Sequence, residues 1–564
     1  MDSHSAIEEY PLTTLQEGML FQRIYTGRPG VDLLHVCVEM RHSLDLSVLE
    51  DAWHRVIRHN RALRTRILYE GRNDPVQEVR DDVEFHLTAQ DLSGLTPQGQ
   101  QDAIERYERA DRGRGLDISS APLMRVVVFR RSEKDHRMVW TVHHIVVDGR
   151  ACTLVLKDVF GCYEAQMQGR IVELPVRRAF SDYVNWTRHL DSSQASQFWS
   201  EKLKGFANPT PILKDQTTSR LITGQFAGRT EQSIYLSPEL SAKLKELMKR
   251  EGLSLNTLVQ GMWAILLSRY SGEDDIVFGA TKTTRRAFAG AESMVGPLIV
   301  TVPVRVRVCS EAPLIAWLRE LRAEWLSYRD YDHAPLTLIQ QSSEISRGAS
   351  LFETFVVFEN GAFDDGLRAN GGGWRDRTAT LISADTNYAL TLMGYGGEEL
   401  ELRICYDAQQ FSSATIQRML EHLRTMAVAV AEKPDLTVGD VPLLTAAERR
   451  QLVEEWNETP WEYPGDKCLH ELFEEQVTRR ANAVALIFGD NSLTYAELNA
   501  RANQLGHYLK GQGIGPGQRV GLCVERSLAM MVGLLGIQKS GAAYVPLDPA
   551  YTAERLRLTL EDAN

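Results

Sequence analysis

Apolar positions along the chain recur with two spacings, and the alternation between them predicts a mixed α and β architecture. After Asp45, the stretch LSVLEDAWHRVIRHN sets Leu49, Trp53, Val56 and Ile57 three and four residues apart, on one face of a helix. Further on, LMRVVVFRR and RMVWTVHHI are apolar and β-branched. The charged SEKDH between them reads as the solvated tip of a hairpin. Beyond Gly149, TLVLKDVFGCYEAQ reads as a buried helix.

The same style continues from 181 to 447. Ser237-Pro238-Glu239 is a helix start, with a capping hydroxyl, a proline suited to the first turn and an acid that complements the dipole. That helix is expected to stop at Gly252. LNTLVQGMWAILLSRY, apolar on nearly all sides, predicts an interior helix ending at Gly272. Strand-like runs recur at DIVFG, LIVTVPVRVRV, FETFVVFEN and LELRICY. Around 445–466 the polar, turn-rich TAAERRQLVEEWNETPWEYPGD marks the main boundary. From Cys468 onward, helix and strand patterns alternate, which predicts an α/β unit with a parallel sheet.

Composition narrows the class. Hydrophobic residues are 43% and charged residues 24%, the balance of a chain that can bury real cores. The net charge of -12, with no basic stripe, argues against a nucleic-acid binder. The seven cysteines are scattered singly, as reduced thiols in a cytoplasmic protein would be. MDSHSAIEEYPL lacks the basic and apolar regions of a secretory signal, and no apolar run approaches the roughly 18 residues of a membrane helix. A length of 564 residues predicts about three or four folding units.

The sharpest chemical signal is His143-His144-Ile145-Val146-Val147-Asp148-Gly149, at the end of an apolar strand and ahead of a buried helix. A histidine, with an ordinary pKa of about 6.5, accepts a proton or a hydrogen bond from an attacking amine or hydroxyl. Adjacent strand-end residues point opposite ways, so one of the pair faces a cavity and the other braces the structure. Asp148 is either the third member of a nucleophile–base–orienter set or the partner of an arginine that pins the loop. There is no G-x-S-x-G elbow, no H-E-x-x-H and no Cys/His cluster, so neither a serine nucleophile nor a metal is expected. A base without an enzyme nucleophile predicts direct transfer between two bound substrates.

This H-H-x-x-x-D-G segment resembles the active-site motif of condensation domains of nonribosomal peptide synthetases, relatives of chloramphenicol acetyltransferase. Other segments resemble that family in the same order: Tyr10–Leu20 (YPLTTLQEGML), Arg58–Thr65 (RHNRALRT), Ser181–Trp186 (SDYVNW), Val295–Arg305 (VGPLIVTVPVR), His333–Leu336 (HAPL) and Leu351–Phe355 (LFETF). The resemblance covers residues 5–447. It implies an α/β fold (α+β, two lobes in a V with a central tunnel), the lobes being 1–180 and 181–447. It also implies His144 as base or positioner for the acceptor amine, His143 as structural, Asp148 paired with Arg64, and Gly149 letting the backbone pass close to a thioester. Arg150-Ala151 stands where the family often has Trp-Ser. Arg150 is therefore either a solvated helix-start residue or a contact for an anionic part of the donor. Asn387, in Asn387-Tyr388-Ala389-Leu390 where the family has N-Y-P-L, is either a substrate contact or a structural hydrogen bonder.

After a linker at 448–467, residues 468–564 resemble the beginning of an adenylation domain, carried by Leu493–Leu498 (LTYAEL) and Gln538–Asp548 (QKSGAAYVPLD). By that resemblance the phosphate loop and catalytic lysine would lie beyond Asn564, so this piece is expected not to activate an amino acid. The implied activity is amide-bond formation between a donor acyl or peptidyl thioester supplied in trans and the amine of an aminoacyl group on a downstream peptidyl carrier. No cofactor is expected to be bound covalently by this chain. Phosphopantetheine arms, or a coenzyme A thioester, would carry the substrates. Expected partners are those carriers and the rest of the adenylation domain, with no nucleic acid and no membrane. Two alternatives share the fold: a starter condensation domain using acyl-CoA, and a non-catalytic domain that recruits a tailoring enzyme. An epimerase lacks support because no E-G-H-G-R-type segment is present, and a heterocyclising relative would carry aspartates in place of the histidine pair.

Overall fold

The computed structural model describes residues 8–563 apart from 28–29, 31, 213, 216–228, 347–348, 360, 362, 369–375, 383–387, 461 and 463. It divides into two units, Met1–Gln451 and Leu452–Asn564. The strands of the first unit are β1 (Glu8–Pro11), β2 (Leu33–Met40), β3 (Thr65–Leu68), β4 (Val76–Val79), β5 (Leu87–Asp91), β6 (Met124–Ser132), β7 (Asp135–His143), β8 (Arg229–Tyr235), β9 (Asp275–Thr283), β10 (Ile299–Arg307), β11 (Thr354–Glu359), β12 (Arg377–Ile382), β13 (Leu390–Gly396) and β14 (Leu400–Asp407). Its first helices are α1 (Thr14–Thr26), α2 (Leu46–His59), α3 (Pro97–Arg114) and α4 (Gly149–Met167).

One sheet runs in the order β12-β2-β7-β6-β5. The hairpin expected around the SEKDH tip is β6–β7, paired antiparallel with Val126 opposite Trp140. α2 begins where Asp45 accepts the backbone N–H groups of Ser47 and Val48, satisfying donors that a helix start leaves orphaned. Its Leu49, Trp53, Val56 and Ile57 are all buried. Trp53 meets Trp140 edge-on, with ring centroids 5.1 Å apart, which joins the helix to the sheet. α4 is buried along most of its length beside α2. On the other side, Ile104 of α3 packs with Cys37, Val127 and Val139.

The second sheet runs β10-β9-β11-β13-β14-β8, with β11 parallel to both of its neighbours. The interior helix Leu255–Ser271 covers it, with Trp263 fully buried, and ends at Gly272 in the left-handed region. The helix Pro238–Arg250 starts under the Ser237 hydroxyl, which accepts the Leu240 N–H. Its chain turns at Gly252, φ 68°.

One strand departs from a simple division at residue 180. β12 arises in the second segment yet pairs antiparallel with β2, setting Ala379 opposite Val38. The first sheet is thereby completed by chain from beyond the second lobe's first strands. β12 has no clear signature in the sequence, because a six-residue edge strand carries too little pattern to stand out.

The second unit contains β15 (Val484–Phe488), β16 (Asn491–Thr494), β17 (Arg519–Cys523) and β18 (Ala543–Leu547). β17 and β18 pair in parallel, as the helix–strand alternation predicts. β15 and β16 form an antiparallel hairpin instead, because two residues cannot host the crossover that a parallel pair needs. Leu493, Leu498, Ala502 and Leu535 make up its small buried centre. Among the described residues no helix is long and apolar enough to cross a membrane.

Candidate active site

Strand β7 ends at His143, which sits opposite Leu33 of β2 and is 2% exposed. The Ile145 N–H donates to its Nδ1 at 3.2 Å, so the ring proton resides on Nε2. Burial, with the charges of Arg23 and His144 adding to it, pushes its pKa down to about 3. That value leaves the buried His143 ring uncharged near pH 7.

His144 projects the other way, as alternation along the strand requires. Its backbone N–H donates to the Asp32 carbonyl at 2.7 Å. Asp32 presents that carbonyl from a left-handed backbone, φ 61°, a conformation aspartate tolerates better than most residues. The His144 Nδ1 lies 2.6 Å from the Val147 carbonyl oxygen. A carbonyl can only accept, so Nδ1 carries the proton and Nε2 keeps its lone pair. No protein group hydrogen-bonds to Nε2 among the described residues, and the ring lines a cavity of about 880 Å³ between the two sheets.

The loop is pinned from two sides. Gln16 of α1, fully buried, donates to the Ile145 carbonyl at 2.7 Å and exchanges amide hydrogen bonds with Gln77. Asp148 caps α4 by accepting the Ala151 N–H at 2.7 Å, and its second oxygen accepts the Leu298 N–H at 2.9 Å. Its arginine partner is Arg285, at 2.6 Å, with both side chains buried. This corrects the expected pairing with Arg64. That guanidinium instead donates to the Arg80 carbonyl at 2.5 Å and to Asp81 at 2.6 Å, because the turn Arg61–Arg64 directs it toward the strand β4 rather than the histidine loop.

Gly149 follows at the cavity wall. A Cβ placed there would meet Leu381 at 3.3 Å and a carboxylate oxygen of Glu359 at 3.8 Å. Arg150 lies on the same wall, exposed and without an ion pair among the described residues. Asn387 lies outside the described residues.

Residues 6–453 match the condensation-domain family, and residues 473–564 match the AMP-binding enzyme family. The chain belongs to the condensation-domain family. Condensation domains are the amide-bond-forming acyltransferases of nonribosomal peptide synthetases. The chain is 39% identical over 563 residues to one of the linear gramicidin synthase polypeptides of Brevibacillus parabrevis, covering 98% of this chain and 11% of that protein. It is 32% identical over 571 residues to bacitracin synthase 1 of Bacillus licheniformis, covering 100% of this chain and again 11% of the relative. The chain thus spans a small part of the length of these curated relatives.

In fold it is similar to the nonribosomal peptide synthetase FmoA3, with a TM-score of 0.72 at 20% identity over 100% of this chain and 57% of that one. It is also similar to the starter condensation domain of rhizomide synthetase RzmA, solved as a mutant in complex with C8-CoA. There the TM-score is 0.67 at 17% identity over 77% of this chain and 98% of that one.

Within the condensation domain, three residues around the site carry little signal in the sequence. Arg285 stands in no recognisable motif, although its backbone partners Met294 and Gly296 flank or belong to the VGPLIVTVPVR segment. Gln16 shows a local signal, the Thr13-x-x-Gln16 capping box, but not its reach of 129 residues to Ile145. Glu359 is the last residue of β11 in the FETFVVFEN run, where strand periodicity says nothing about a cavity. Burial, and then the charge of Asp148, pushes the Glu359 carboxyl up to about 7. Protein atoms crowd the carboxyl, but the residue as a whole is exposed, on the wall of the open cavity.

Proposed function

We propose that this condensation domain joins a donor acyl or peptidyl thioester, supplied in trans, to the amine of an aminoacyl thioester on a carrier protein, with His144 as base and positioner. The observation that carries this reading is the lone pair of His144 Nε2, set by the Nδ1–H donated to the Val147 carbonyl and turned into the cavity. The acceptor nitrogen attacks the thioester carbon, the C–N bond forms, and the C–S bond breaks. Nε2 takes the proton shed by the nitrogen and passes it to the departing thiolate sulfur. The Val147 carbonyl stabilises the doubly protonated ring in between.

Asp148 stays out of the proton path, since its oxygens are occupied by Ala151, Leu298 and Arg285. Arg150 offers its charge to an anionic part of the donor's phosphopantetheine or coenzyme A arm. Holding two tethered substrates at reacting distance supplies most of the rate gain, and a positioned base adds about 10²–10⁴-fold.

The test supplies the full chain with acyl-CoA donors or with acyl groups on carrier proteins, each against aminoacyl carriers, and measures amide product. His144→Ala is expected to lower the rate by about 10²–10⁴-fold. Unchanged amide formation by that variant would remove the base role. Product from acyl-CoA without a donor carrier would identify a starter domain. A wild-type chain inert toward every donor, yet binding a tailoring enzyme, would replace catalysis by recruitment.

A further inference from the structure

We propose that Glu359 receives the acceptor's ammonium group in the cavity and takes its first proton, leaving the second to His144. The inference rests on the amide-forming reading above and adds a binding group for one of its two substrates.

The chemistry leaves a role for a second proton acceptor beside His144. An α-amino group has a pKa of about 7.7–8.0, so at neutral pH the acceptor arrives mostly as an ammonium ion with no lone pair to attack with. Turning that ammonium into an amide nitrogen removes two protons, whereas His144 offers one lone pair. In the proposed sequence the ammonium first gives a proton to the Glu359 carboxylate. The free amine then attacks the thioester carbon, and the nitrogen's second proton passes through His144 Nε2 to the leaving sulfur. Glu359 returns its proton to solvent as product leaves. One C–N bond forms, one C–S bond breaks, and one net proton is released.

The geometry suits that role. Glu359 closes β11 beside Tyr395 of β13, and its carboxylate stands 3.8 Å from where a Gly149 Cβ would lie, on the loop that carries His144. Both side chains line the same cavity. Among the described residues Glu359 makes no hydrogen bond and no ion pair. Asp148 next to it already accepts three donors, from Ala151, Leu298 and Arg285.

Of the charged and titratable groups around it, Asp148 repels the ionised form. Arg285 is spent on Asp148, and Tyr395 is a phenol whose pKa burial raises further. Arg403 from β14 lies over the Tyr395 ring. Arg150, Arg286 and Glu292 also stand on the cavity walls, and Leu381 of β12 is apolar. The result is a carboxyl pushed up to about 7, close enough to an α-amine for nearly balanced proton exchange.

The experiment compares binding of the full chain to a panel of aminoacyl N-acetylcysteamine thioesters with binding to the same thioesters lacking the amine, for wild type, Glu359→Gln, Glu359→Asp and His144→Ala. Wild type is expected to prefer the amine-bearing member by about 10- to 100-fold, the strength of a hydrogen-bonded charge pair. Glu359→Gln should lose that preference, and Glu359→Asp should keep part of it. His144→Ala should retain the preference while losing turnover, which separates this inference from the base role. In turnover, the rise of kcat/KM with pH should have its midpoint near 7 in wild type and move up toward the amine's own pKa in Glu359→Gln. Equal binding of the two thioester classes by wild type, including no binding of either, or an undiminished preference in a folded Glu359→Gln, would overturn the assignment.

Discussion

Arg285 and Asp148, 137 residues apart in sequence, meet in a buried ion pair of 2.6 Å that ties the histidine loop to the segment following β9. The same guanidinium donates to the carbonyls of Ala291, Met294 and Gly296, so one side chain holds the backbone stretch 291–296 and one carboxylate in register. Arg285→Ala leaves Asp148 charged and buried without its cation. The expected loss is about 3–5 kcal/mol, read by chemical denaturation. Arg64→Ala faces the solvent-exposed Asp81 and should cost well under half of that. Equal losses would contradict the assignment of Arg285 as the anchor.

The two histidines should hold opposite tautomers. Val147's carbonyl keeps the proton on Nδ1 of His144, while the Ile145 N–H keeps it on Nε2 of His143. Nitrogen NMR of histidine-labelled protein near pH 8, assigned with single-site variants, is expected to display one ring of each kind.

His143 should make the fold acid-sensitive. Its folded pKa, about 3, lies below the ordinary 6.5, so between those values the unfolded chain binds a proton that the folded chain refuses. Stability contributed in this way is intact above about pH 6.5 and is lost as pH falls, by up to about 1.4 kcal/mol per pH unit. His143→Asn keeps an acceptor near the Ile145 N–H and removes the titration. Denaturation between about pH 4 and 8 should give a flatter stability profile for that variant.

Gly149 separates fold from function. In Gly149→Ala the new Cβ meets Leu381 at 3.3 Å, a half-buried side chain that can shift, and alanine favours the start of α4. The stability change is expected to stay within about 1 kcal/mol. Gly149→Val extends farther into the space beside Glu359 and should cut amide formation at least tenfold while the protein remains folded, as measured by turnover alongside thermal melting.

Much of the local structure was legible in the residues. α2 and its Asp45 cap, the β6–β7 hairpin, the helix under Ser237 and the interior helix before Gly272 follow from periodicity and end signals, because each is decided by neighbours within a few positions. The histidine loop was legible for the same reason: a strand, a turn and a helix start are adjacent in sequence, and alternation already separates the roles of His143 and His144.

What the order of residues determined, then, was the identity of each element and the chemistry offered at one loop. The fold alone decided which distant groups complete that loop. Arg285 rather than Arg64 faces Asp148, Gln16 reaches Ile145, β12 crosses to join β2, and Glu359 arrives beside Gly149. Each of these depends on how two sheets bring chain segments together over a hundred residues or more. No periodicity encodes that, since burial and partner choice at such range are set by the packing of whole elements rather than by local spacing.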